Sequence, residues 1–125
     1  MKVTLWIVQA LLALAFLAHG LMFLNPPADI AVLMNAFLPR WFQLFLGVAE
    51  VAAAIGLTLP GLTRIQPGLV PLAAVGVMIV TVSATVLHTA RAEYSSAATT
   101  LVLLGLAAFV AWGRWRRWPI APRTS

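Results

Sequence analysis

The chain has 125 residues, of which 62% are hydrophobic and 9% are charged, and its mean hydropathy is +0.99. A soluble domain this small could not bury so much apolar surface, and a disordered chain needs low hydrophobicity and high charge. The composition therefore excludes both classes and predicts one integral membrane domain over residues 1–125.

Basic residues outnumber acidic ones by eight to three, which gives a net charge of +5. They are too few and too dispersed to form a groove that tracks nucleic-acid phosphates. We therefore expect no nucleic-acid partner and assign the charge to orientation in a lipid bilayer. The chain has no cysteine, which excludes disulfides, thiol relays and thiolate metal sites. Any redox role would need a borrowed cofactor or the thiols of a partner.

Four apolar stretches approach the roughly 20 residues that a membrane-spanning helix needs. Segments rich in Pro, Gly or polar residues separate them, and they cover about residues 4–24, 41–59, 68–88 and 96–113. We expect Pro60-Gly61 to end the second. The fold class is therefore all-α, a four-transmembrane-helix bundle. The first stretch follows Lys2 as a signal peptide would, but its apolar run continues to Leu24, so we expect it to be retained.

Lys and Arg are distributed unevenly among the loops and tails. If four helices span the membrane, both tails and the second loop share one side, which carries Lys2, Arg64, Arg114, Arg116, Arg117 and Arg123. The other side carries two basic residues, Arg40 and Arg91. The positive-inside rule then predicts cytoplasmic N- and C-termini. We expect the membrane to be a bacterial-type inner (plasma) membrane. The tail segment 114–118 is expected to lie on anionic lipid headgroups.

The first outer loop carries an amphipathic pattern. Its apolar residues recur at helical spacing between Pro27 and Pro39, at Ile30, Leu33, Met34, Phe37 and Leu38. We therefore predict a short interfacial helix over residues 29–38. The pattern leaves two roles open, an anchor in the membrane interface and a lid over a cavity that opens outward.

Glu50 is the charged residue that lies within a predicted span rather than in a loop or tail. It lies near the middle of the second span, where an ionised carboxylate is costly unless it is paired or protonated. His19 and His88, near the outer ends of the first and third spans, are its candidate partners, and Thr81 and Thr85 share a helix face with His88. The predicted ligand-binding residues, around an outward-facing pocket, are Glu50, His19, His88, Thr85, Thr81 and Arg91.

Purely structural roles compete with this functional one. A buried hydrogen bond from Glu50 to a His or Thr would fix helix register without a ligand, and Arg91 with Glu93 would form a loop salt bridge. Gln9 is better suited to joining helices. A seam at every third position from 47 to 56 (Gly, Glu, Ala, Gly) predicts a close helix approach.

The sequence lacks the usual catalytic and metal-binding patterns. Glu50, His19 and His88 differ in depth, and no HxxH or HxxxH spacing is present, so we expect no metal. No Gly-rich phosphate loop, Ser–His–Asp order or nucleotide fingerprint is present either. We therefore assign no catalytic residue and leave open whether the chain is an enzyme.

The chain nevertheless resembles the DoxX-like small membrane proteins over about residues 5–112. The resemblance rests on Gln9 and the run from Leu11 to Gly20, on Leu38-Pro39, on Gly47-Val-Ala-Glu50, on 54–60, on 71–74, and on His88 with Arg91 and Glu93. The family's first span often carries a Lys after its Gly, whereas this chain reads Leu21-Met22-Phe23. The missing Lys leaves Glu50 without that cationic neighbour.

The resemblance implies a four-helix membrane bundle and an association with redox and oxidative-stress systems. Some relatives are described as subunits of quinone-linked or thiol-oxidising membrane complexes. The leading hypothesis is a redox-associated, non-enzymatic membrane subunit that binds a small lipophilic ligand such as a quinone, with membrane redox-complex partners. The alternatives are a small transporter or permeation protein and a purely structural assembly subunit. A homo-oligomer is left open.

Overall fold

The computed structural model describes residues 2–123, which contain helices and no strand. The elements are α1 (Lys2–Leu24), α2 (Ala28–Phe37), α3 (Arg40–Thr63), α4 (Leu69–Ala90), α5 (Tyr94–Trp112) and a π-helical turn (Gly113–Arg117). Four segments are long and apolar enough to cross a membrane: α1, α3, α4, and α5 with the π-helical turn. The predicted all-α, four-helix membrane bundle is confirmed.

The helices run alternately up and down, so the bundle has two distinct ends. The first and last described residues, Lys2 and Arg123, and the α3–α4 connection lie at one end, the tail end. Helix α2 and the α4–α5 connection lie at the other, the loop end. Helix α1 packs mainly on α3, and α4 mainly on α5. The side chains that point outward are largely apolar, as expected of helices that face lipid.

Residues in the left-handed backbone conformation follow the ends of α3 and α4. Helix α3 stops at Thr63 because Arg64 takes a φ of 59°, and Ala92, just after α4, takes a φ of 58°. The break expected at Pro60-Gly61 is wrong, since α3 continues through both residues. A proline in the last turns removes few backbone hydrogen bonds, and membrane helices tolerate this.

Helices α1 and α3 approach most closely at two facing glycines. A Cβ atom on Gly20 would lie 2.9 Å from the carbonyl oxygen of Gly47, and one on Gly47 would lie 3.0 Å from the carbonyl oxygen of Gly20. The seam predicted from 47 to 56 does not stay on this face. Gly56 instead faces α4, where its Cβ would lie 2.9 Å from that of Ala73. Nine residues of α-helix turn through about 900°, which places Gly47 and Gly56 on opposite sides of α3.

The predicted loop helix is confirmed as α2, displaced by one residue, and buries none of its side chains completely. Polar contacts attach its end to α3. The Gln43 amide donates to Asn35 Oδ1 and to the Leu38 carbonyl, at 2.8 Å each. Arg40 donates to the carbonyl oxygens of Phe23 and Leu24, at 2.8 and 2.7 Å. Arg40 thereby satisfies carbonyls at the end of α1 that have no partner within the helix.

The segment after the π-helical turn folds back over the tail end. Arg64 donates to the Ala121 carbonyl at 3.1 Å, and the Arg123 backbone N–H donates to the Arg64 carbonyl at 2.7 Å. Ile120 packs where a side chain at Gly61 would otherwise stand. The last described residues therefore cover the α3–α4 connection.

Candidate functional site

Glu50 and His19 form a hydrogen-bonded pair between α3 and α1. The Nδ1 atom of His19 lies 3.0 Å from each carboxylate oxygen of Glu50. The Glu50 side chain is 3% exposed, whereas that of His19 is 51% exposed and meets the Phe23 ring edge-on. The pair therefore has a buried acid and an imidazole that reaches the outer surface of the bundle.

Helix register explains why these two residues meet. Helices α1 and α3 are antiparallel, so contacts pair residues whose numbers rise on one helix and fall on the other: Gln9 with Leu57, His19 with Glu50, Gly20 with Gly47. The glycine contact brings the two backbones close at the level of the acid. An ionised Glu50 can only accept hydrogen bonds, so the His19 ring N–H donates to it.

A groove of about 360 Å³ runs between α3 and α4, and Glu50 is among the residues that line it. Its walls are small or apolar and include Phe16, Ala49, Ala53, Gly56, Ala73, Gly76 and Val80. Among the described residues that line it, Glu50 is the ionisable one, and His19 is not part of the lining. Glu50 thus both contacts the imidazole of His19 and takes part in the lining of an apolar groove.

A second polar cluster lies at the loop end. His88 Nδ1 is 2.9 Å from Glu93 Oε1, and Arg91 Nη2 is 3.7 Å from Glu93 Oε2. The Arg91 guanidinium also stacks on the Phe37 ring, 3.8 Å from its centroid. The predicted Arg91–Glu93 salt bridge is confirmed, and the stacking ties α2 to the α4–α5 connection.

The hydrogen bond from His88 lowers the pKa of Glu93 below its ordinary value of 4.5, and the positive charge of Arg91 acts in the same direction. A depressed pKa stabilises the folded state above the unfolded-state value, and this contribution is lost as the pH falls through the folded-state pKa. We expect the advantage of the native protein over Glu93→Gln, in thermal unfolding, to shrink on acidification below pH 4.5. An advantage that stays constant down to about pH 3 would contradict this assignment.

The two threonines make hydrogen bonds within α4, and Thr85 also meets α5. Thr81 is buried and donates to the Val77 carbonyl at 2.8 Å. The Thr85 hydroxyl lies 2.7 Å from that of Thr100 on α5. The structure therefore joins Thr85 to α5 and gives neither threonine a hydrogen bond to Glu50.

Four of the six candidate residues therefore fall into two groups, and Thr81 and Thr85 belong to neither. Glu50 and His19 form one, and His88 and Arg91 form the other around Glu93. Within residues 2–123, no hydrogen bond or ion pair joins the groups. The side chains of Glu50, His19 and His88 therefore do not come together in one cluster.

Gln9 and Arg114 form a polar network at the tail end. The sequence predicted that Gln9 joins helices but did not predict that Arg114 takes part. The Gln9 amide donates to the Leu57 carbonyl at 2.7 Å, which confirms that Gln9 joins helices. Arg114 Nε donates to Gln9 Oε1 at 2.7 Å, and its Nη1 donates to the Trp118 carbonyl at 3.1 Å. Arg114 Nη2 is buried without a hydrogen-bond partner in the described part of the chain.

The expectation that Arg114 lies on lipid headgroups is wrong, since its residue is 5% exposed. The sequence does contain a signal for the buried position of Arg114. Ala107, Val110 and Ala111 are buried, and Arg114 continues their stripe at helical spacing. The sequence analysis did not extend the buried stripe to Arg114, because a basic residue at the end of a span is expected to face headgroups.

Four apolar spans, with a buried Glu and a half-exposed His paired between two of them, define a small multi-pass membrane protein. The family model described as the DoxX-like family matches residues 7–110, and the chain belongs to that family. No curated protein matches it significantly. No solved structure does so either.

Proposed function

We propose that this DoxX-like protein is a membrane subunit that binds a small lipophilic molecule in the groove between α3 and α4. One observation carries the proposal: Glu50, a buried acid within a span, is among the residues that line an otherwise apolar groove between α3 and α4. An intramembrane acid is costly to keep, so its presence beside a cavity favours a ligand-binding role. Apolar walls would supply most of the affinity, and Glu50 would orient the polar end of the ligand.

The pair of Glu50 and His19 suits a ligand with a hydroxyl or carbonyl group, such as a quinone. An ionised Glu50 accepts a hydrogen bond from a hydroxyl, and a protonated one donates to a carbonyl. His19 holds the carboxylate and carries its own ring to the bundle surface. For a redox-associated role, a membrane partner would handle the electrons, since the chain has no cysteine.

The proposal is tested by extracting lipophilic molecules from protein purified in mild detergent and quantifying them by mass spectrometry. Glu50→Gln removes the charge at nearly constant size, and we expect it to lower the bound amount about tenfold. Gly76→Leu fills the groove, because a Cβ atom at Gly76 meets nothing within 4 Å. We expect Gly76→Leu to abolish binding.

Gly105→Leu is the matched control. Gly105 also has open space around its Cβ position, but it lies on α5, outside the residues that line this groove. We expect the Gly105→Leu protein to retain the ligand. The same ligand content in the native protein, Glu50→Gln and Gly76→Leu would overturn the proposal.

Transport and pure assembly are the alternatives. Transport needs a polar route between Glu50 and the Gln9–Arg114 network, but the buried side chains between them, Leu12, Phe16 and Ala54, are apolar. This favours binding. Solute or proton flux into liposomes that depends on Glu50 would instead support transport. Partner binding that survives both groove variants, with no small molecule bound, would support assembly.

We further propose that both termini lie in the cytoplasm of a bacterial-type inner membrane. The asymmetry of basic residues supports this orientation, because five cations other than the buried Arg114 belong to the tail end: Lys2, Arg64, Arg116, Arg117 and Arg123. The proposed single membrane domain over residues 1–125 agrees with the continuous packing of the four spans.

A further inference from the structure

A second groove, of about 390 Å³, lies between α4 and α5 toward the tail end. Its residues are different from those of the groove beside Glu50. Apolar and aromatic side chains form its walls, and a guanidinium stands at its rim: Val75, Met78, Ala108, Trp112, Trp115 and Arg116. From Ala108 to Arg116 this wall extends roughly 12 Å along the helix axis.

Arg116 is exposed, and no hydrogen bond or ion pair ties it to another residue in the range 2–123. No acid balances it nearby along the chain. Asp29 lies on α2 and Glu93 in the α4–α5 connection, both at the loop end, and Glu50 is paired with His19. The groove therefore ends at a free cation in a positively charged region.

Trp112 and Trp115 place this rim at the membrane interface. Both rings are largely exposed on the bundle surface, and tryptophan prefers the level of the lipid headgroups. The groove leads from the hydrocarbon region to a cation at headgroup level. Its shape and charge therefore suit a molecule with an acyl chain joined to an anionic head.

We infer that the groove between α4 and α5 is a binding site for an anionic phospholipid in the leaflet on the tail side. An acyl chain lies between α4 and α5, and Arg116 donates hydrogen bonds to the phosphate. Trp112 and Trp115 pack beside the glycerol region. This site is separate from the groove beside Glu50 and stands whether or not that groove binds a ligand.

The test is native mass spectrometry of the delipidated protein, titrated with phosphatidylglycerol or with phosphatidylcholine of the same acyl chains. We expect phosphatidylglycerol to bind in preference to phosphatidylcholine. Arg116→Gln should weaken phosphatidylglycerol binding about fivefold, the effect of one cation near a membrane surface. Arg117→Gln removes the same charge from the neighbouring position, which does not line the groove, and should have a smaller effect.

Ala108→Leu narrows the groove and should weaken the binding of both lipids, whereas Gly105→Leu, outside the groove, should leave it unchanged. Equal losses in Arg116→Gln and Arg117→Gln would mean diffuse electrostatic attraction and would overturn the inferred site. Unchanged lipid binding in Ala108→Leu would overturn it as well. Circular dichroism of each variant establishes that the helices are retained.

Discussion

Alanine at Gly20 or Gly47 should destabilise the bundle by about 1–3 kcal/mol, the usual cost of overpacking a well-packed contact. The added methyl of either variant would lie within 3.0 Å of a backbone carbonyl oxygen on the opposite helix. A backbone atom cannot rotate away as a side chain can, so α1 and α3 must separate. That separation would also lengthen the contact between His19 and Glu50. Thermal unfolding in detergent measures the effect.

Gly76→Ala and Gly105→Ala are the controls. Both glycines lie within helices, and a Cβ atom on either one meets nothing within 4 Å. Alanine is a better helix former than glycine by about 1 kcal/mol, so these variants should be as stable as the native protein or more so. Equal stability of all four alanine variants would show that the Gly20–Gly47 contact does not limit the approach of α1 and α3.

Gln9→Leu should destabilise the protein more than Arg114→Met does. Without Gln9, the buried Arg114 guanidinium loses the acceptor of its Nε–H, and its Nη2 is already without a partner. Hydrogen bonds to charged groups contribute about 1.5–3 kcal/mol, and we expect a loss of this size. Arg114→Met removes the charge together with its need for partners, and Gln9 keeps its bond to the Leu57 carbonyl.

The double variant gives the sharper result. If the unpaired charge causes the damage, Arg114→Met added to Gln9→Leu should restore part of the lost stability. Arg116→Met, on the exposed side of the same π-helical turn, should change the unfolding temperature little. Additive losses in the double variant would show that the Gln9–Arg114 hydrogen bond contributes nothing specific.

The sequence predicted the spans because hydropathy and length are properties of each segment alone. It also predicted α2, whose apolar residues have helical spacing between two prolines. His19 was a correct partner for Glu50 because α1 and α3 are adjacent antiparallel helices whose outer halves meet. These successes depend on one helix, or on one adjacent pair of helices.

The rest depends on which helices are neighbours. His88 and Glu50 share the loop-end half of the bundle, but Thr85 on α4 meets Thr100 on α5, and His88 contacts Glu93, only five residues away. The groove beside Glu50 arises from the spacing of α3 and α4, which no one-dimensional pattern encodes. Arg114 was misplaced because its charge was weighed without its helical phase.

The contact between Gln9 and Arg114 joins residues 105 positions apart, and this separation has a consequence for biosynthesis. As the chain emerges from the ribosome, the Gln9 amide can reach Leu57 once two spans are inserted, but its oxygen must wait for the last span. The bundle is therefore closed at its tail end by the final helix to enter the membrane. A chain halted before Arg114 would leave the Gln9 amide oxygen without the donor that it has in the complete bundle.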